Sequence, residues 1–121
     1  MMSHIILAAI FTVFVCGCEK HSLTEQKIIE IANAKAESEG IPLKESNICY
    51  DVGNKNWHER LASLRKDSPD YVKERGNFDI LKGYNYQTVI YTPKNPLTLG
   101  GVLYVFVNRD TEEIITIHGE Q

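Results

Sequence analysis

The sequence predicts an α+β domain: one long N-terminal amphipathic helix packed on an antiparallel sheet of about four strands, with a short helical insertion. Three observations predict it. An apolar stripe at three- and four-residue spacing lies between a capping signal and a glycine stop over residues 23–39. Strand-like runs occupy 47–52, 84–91, 101–108 and 114–118. Within the last three, the connections are short enough for antiparallel pairing.

The helix is bounded on both sides. Ser22-Leu23-Thr24-Glu25 matches a capping box, with Ser22 as N-cap and Glu25 at N3. Ile28, Ile31, Ala32 and Lys35 recur along one stripe, with Ala36 beside it. Gly40 suits the left-handed residue after a helix, and Pro42 prevents continuation.

Residues 47–52 alternate, so Ile48, Tyr50 and Val52 face one way and Asn47, Cys49 and Asp51 the other. Gly53-Asn54 ends the strand. Asn56-Trp57-His58-Glu59 predicts a second capped helix, with Trp57, Leu61 and Leu64 on its apolar side. Ser68-Pro69 offers a cap followed by proline, which predicts a short helical turn through Tyr71 and Val72.

Tyr84 to Tyr91 is rich in strand-forming residues, and a two-proline loop follows over 92–98. Gly101 to Asn108 is apolar on both faces, which predicts a central strand covered on one side and partly on the other. Arg109-Asp110-Thr111-Glu112 is a polar turn, and Ile114 to His118 closes the sheet.

The 121 residues suffice for one domain. All 13 basic and 16 acidic residues lie after position 18, so the domain carries the whole net charge of −3. Phosphate-backbone binding needs a basic stripe, and this balance provides none, so nucleic acid is not an expected partner.

Residues 5–15 are apolar except for Thr12, and they precede Val15-Cys16-Gly17-Cys18. Eleven residues of helix span about 16 Å, roughly half a hydrocarbon core, which suits a signal peptide rather than a permanent span. The Val-Cys-Gly-Cys run resembles the lipobox of bacterial lipoproteins. The resemblance implies a signal peptide over 1–17, a lipidated tether over 18–22 beginning at Cys18, and a single domain over 23–121. It implies membrane attachment through the N-terminal lipid, in the cell envelope and facing the periplasm. Glu19, where aspartate would signal inner-membrane retention, favours the outer membrane. On this reading Cys16 departs with the signal peptide, Cys18 is acylated, and Cys49 is left as a lone buried thiol.

Gly100-Gly101 and the run Val102 to Ile115 resemble the end of bacterial NTF2-fold immunity proteins, as do the opening helix with its Ile-Ala pairs and the mid-chain Trp57. The resemblance implies a cystatin-like or NTF2-like roll. It also implies a function by binding a toxin, with no catalytic residue carried over.

The chemistry-bearing residues are few. Asp51, His58 and Glu59 form the one close titratable cluster, but adjacent helical residues point about 100° apart and cannot share a ligand unaided. No metal-binding, nucleophile-elbow or phosphate-loop spacing occurs. No catalytic residue, metal or cofactor is therefore expected. Trp57, Tyr84, Tyr86 and Tyr91 are the candidate binding surface, with packing inside the core and sheet as the ordinary alternative.

The expected function is that of an envelope lipoprotein whose domain binds a protein, as an immunity factor or inhibitor. An accessory lipoprotein of an envelope or secretion complex is the alternative. A hydrolase using Cys49, or the pair Asp51 and His58, is the rival of another class.

Overall fold

A computed structural model describes residues 23–95 and 101–120. The signal-peptide segment, Cys18, Ser22 of the capping box and Gly100 lie outside the described residues. Among the described residues there are three α-helices, two single-turn 3-10 helices and a four-stranded antiparallel sheet. Helix α1 is Leu23–Ser38, α2 is Lys55–Ala62 and α3 is Pro69–Leu81. The strands are β1 (Ser46–Asp51), β2 (Tyr86–Pro93), β3 (Val102–Asn108) and β4 (Ile114–Glu120). They lie side by side in chain order, and every neighbouring pair is antiparallel.

The sheet is covered on both faces. On one side, Ile28, Ile29, Ala32 and Ala36 of α1 pack against Ile48, Tyr50, Val89, Tyr91, Leu103, Val105 and Val107. The buried stripe of α1 thus takes in Ile29 and leaves Ile31 only partly covered, a rotation of the stripe read from spacing alone. On the other side, Trp57 and Leu81 pack on Ile90, Tyr104 and Phe106, with Cys49, Leu61, Tyr86 and Ile115 around them. The strand expected to be covered partly on its second face is buried along Leu103 to Val107, because the helical insertion is larger than its sequence suggests.

Each boundary has a local cause. Gly40 adopts φ +89°. Ile41 N–H donates to Ala36 O, and Gly40 N–H to Glu37 O, both at 3.0 Å. This pair of bonds is a Schellman motif, and it places the glycine where the sequence put it. β1 ends at Asp51, one residue early, because Gly53 (φ 66°) and Asn54 (φ 54°) turn the chain left-handed. Val52 is consequently exposed rather than part of the strand.

Asn56 is not the N-cap of α2. The helix begins at Lys55, and its free amides are satisfied from further back: Asp51 Oδ1 accepts from Asn56 N–H and Oδ2 from Trp57 N–H, each at 2.9 Å. The expected short turn at Pro69 is instead a helix of 13 residues. β2 starts at Tyr86, so Tyr84 precedes it, and β4 continues to Glu120. A register shift between Phe106 and Val107 lets β4 present Ile114 to the α1 side and Ile115 to the other. Among the described residues, no helix is long and apolar enough to cross a membrane.

Candidate functional site

The face formed by α2 and α3 gathers most of the chemistry-bearing side chains. Its floor is aromatic. Trp57, fully buried, lies 4.9 Å from Phe106, 5.2 Å from Tyr104 and 5.9 Å from His118, measured between ring centroids. The Trp57 indole N–H makes no geometric hydrogen bond. It is near enough to the Tyr86 hydroxyl to offset part of the rise that burial imposes on the Tyr86 pKa.

Outside this floor, a groove of about 330 Å³ opens between α2 and α3, lined by His58, Leu61, Ala62, Arg75 and Phe78. The His58 Nε2 and Tyr86 hydroxyl are hydrogen-bonded at 3.0 Å. The Arg75 guanidinium sits 4.9 Å from the Phe78 ring centroid, a cation–π arrangement. The outer face of α3 carries Val72, 78% exposed, and Ile80, 53% exposed.

Beside the groove lies a buried polar cluster drawn from three elements. Arg60 of α2 donates through Nε to Glu120 Oε2 at 2.6 Å, and through Nη2 to Glu74 Oε1 at 2.5 Å. His118 of β4 directs Nε2 at the same two oxygens, 3.6 Å from Glu120 and 3.9 Å from Glu74. Its Nδ1 is 3.0 Å from the Asn77 side-chain amide. A proton on Nε2 would face both carboxylates, which leaves Nδ1 to accept from Asn77. Burial lowers the His118 pKa. Glu120 opposes that shift, and Lys73 and Arg60 reinforce it. The imidazole is thus neutral near pH 7.

No known family, curated protein or solved structure matches the chain.

The four aromatic residues singled out in sequence do not form one surface. Trp57 is core on the α2–α3 side, whereas Tyr91, 1% exposed, is core on the α1 side, where its hydroxyl donates to Asn33 Oδ1 at 2.7 Å. Tyr86 is half-buried against His58 and Phe106. Tyr84 is exposed and borders a small cavity with Asn108 and Ile114. Only Tyr84 and Tyr86 keep access to solvent.

Asp51, His58 and Glu59 are likewise committed separately or exposed. Asp51 caps α2, His58 bonds Tyr86, and Glu59 lies in solvent. Cys49 is disulfide-bonded rather than a lone thiol. The sequence contains two other cysteines, Cys16 and Cys18, both outside the described residues. A sulfur held in a disulfide carries no thiolate.

Sequence reasoning missed the cluster of Arg60, Glu74, His118 and Glu120. His118 and Glu120 at alternate positions of one strand share a face, and that spacing was the available signal. Arg60 and Glu74 belong to separate helices, and nothing local in the sequence joins them to β4.

Proposed function

We propose that the chain is a lipid-anchored protein of the bacterial cell envelope, whose domain binds another protein through its α2–α3 face as an immunity factor or inhibitor. The observation that carries the anchor is the apolar run ending in Val15-Cys16-Gly17-Cys18, followed within a few residues by the start of α1 at Leu23. The binding half of the reading is supported by the exposed Val72 and Ile80 beside a groove edged by Phe78, Arg75 and His58. An apolar centre rimmed by charge and aromatic rings is the usual make-up of a protein-binding patch. A four-stranded antiparallel sheet with a helix across one face is compatible with the NTF2-like or cystatin-like roll. In this reading the second layer, α2 and α3, would form the partner-facing side.

The anchor has a direct rival in the disulfide of Cys49. Cleavage before Cys18 removes Cys16, and acylation consumes the Cys18 sulfur. A processed chain then holds no cysteine with which Cys49 could pair internally. Mass spectrometry of the protein purified from envelopes decides between them. A diacylated N-terminal cysteine with Cys49 alkylatable after denaturation supports the anchor. An intact Met1 with Cys49 protected until reduction removes it. For the binding half, Val72→Glu and Ile80→Glu together should abolish recovery of a cross-linked partner from envelope extracts while leaving the circular dichroism unchanged. Undiminished recovery would place the interface elsewhere.

A further inference from the structure

We propose that Glu74 Oε1, His118 Nε2 and Glu120 Oε2 form a binding site for a divalent transition-metal ion of the zinc class, in competition with the Arg60 guanidinium. This inference is independent of the partner-binding reading. The three ligand atoms lie within 4.8 Å of one another. Tetrahedral zinc holds nitrogen and oxygen ligands at about 2.0–2.2 Å, which sets neighbouring ligands roughly 3.3–3.5 Å apart. The separations of 3.6 Å and 3.9 Å from Nε2 need a few tenths of an ångström of contraction. The two carboxylate oxygens, which the Arg60 fork holds apart, must close by up to about 1.3 Å from the 4.8 Å limit once the arginine leaves.

The imidazole is what distinguishes this cluster from a plain buried ion pair. Arg60 alone suffices to bridge two carboxylates. His118 adds no charge to that bridge while neutral, yet its Nε2 is buried with no hydrogen-bond partner and aimed between the two acidic oxygens. Two carboxylates and a neutral imidazole match a doubly charged borderline ion in both charge and ligand type.

The surroundings fit ligation as well. A metal-bound Nε2 requires the proton on Nδ1, and Asn77 meets that need by turning its amide so that Oδ1 accepts. The same side chain that fixes the ring therefore serves both tautomers. Arg60 and Glu120 form the outer edge of the cluster, with side chains 28% and 22% exposed, and so offer an entry path. Metal and guanidinium require the same two oxygens. The arginine must swing outward for the ion to enter, so removing its charge should tighten binding.

The test uses the full chain titrated with Zn²⁺ against a chromophoric chelator, and with Co²⁺ followed by its visible absorption. Wild-type protein should bind one equivalent. Arg60→Gln should bind at least tenfold more tightly, and Glu120→Gln and His118→Asn at least tenfold more weakly. Co²⁺ spectra of wild type and Arg60→Gln should coincide, since the ligands are the same. If His118→Asn fails to fold, Glu120→Gln and Arg60→Gln carry the test, because both positions lie at the partly exposed edge. Absence of stoichiometric binding in both wild type and Arg60→Gln overturns the proposal. So does binding that survives Glu120→Gln undiminished, or an Arg60→Gln variant that binds no more tightly.

Discussion

Asp51 closes β1 and opens α2 with one carboxylate. Both of its oxygens accept backbone N–H groups from the helix start, while its own carbonyl accepts from Gln87 Nε2 at 2.7 Å. An asparagine there has one acceptor for two donors, and it loses the charge that favours a helix N-terminus. Asp51→Asn should therefore cost about 2 kcal/mol, read as a lower urea midpoint with an unchanged slope. Tyr104 provides a second residue-level prediction. Burial raises its pKa from 10.0 to about 12, with Glu120 adding to the rise. The folded state holds the phenol proton above the pH at which the unfolded chain releases it, so stability is complete below pH 10 and falls as pH rises toward 12. The loss is on the order of 2–3 kcal/mol. Tyr104→Phe should flatten that part of the pH profile, which denaturant melts followed by Trp57 fluorescence would measure. The capping role of Asp51 was hidden in the sequence because the donors lie five and six residues ahead, outside the spacing of a capping box. The glycine stop at Gly40 was legible because its signal is local.

At the scale of elements, the strands were legible and α3 was not. β1 to β4 each carry a β-branched or aromatic run, and their expected positions hold to within two residues. The segment Pro69–Leu81 has a glycine at its centre and scattered apolar residues, so no clean helical period stands out. Packing of Leu81 beside Trp57, and the tie from Glu74 to Arg60, hold the segment helical despite that pattern. Gly76 is a weak point in α3. A β-carbon there would meet nothing within 4 Å, and its φ is not positive. Gly76→Ala should stabilise the protein by about 1 kcal/mol through helix propensity, seen as a raised Tm. An unchanged or lowered Tm would mean that α3 contributes little to the cooperative unit.

For the whole molecule, the three-layer arrangement explains which functional residues the sequence concealed. Arg60, Glu74 and His118 come from three separate elements, and they meet only because the insertion between β1 and β2 folds back over the sheet. Local spacing carries no information about such a return. In the aromatic set of Trp57, Tyr84, Tyr86 and Tyr91, the sheet places Trp57 and Tyr91 in the cores on opposite sides.

That insertion also bears on how the chain acquires its shape in time. β2, β3 and β4 meet through short connections, whereas β1 pairs with β2 only after the stretch from Val52 to Asn85 has closed upon itself. Closing a long loop costs entropy before its contacts are gained. The C-terminal meander should thus form the nucleus, with β1 docking late. Val105→Ala should slow refolding, while Ile48→Ala should leave the refolding rate nearly unchanged and accelerate unfolding. Stopped-flow chevrons of the two variants would separate these outcomes, and equal effects on both limbs would point to a nucleus spanning all four strands. Because β2, β3 and β4 would pair first although they are synthesised after α1 and β1, those two must wait for the meander before they find a lasting partner. Until then the apolar side of α1 is open to chaperones or to a passing neighbour.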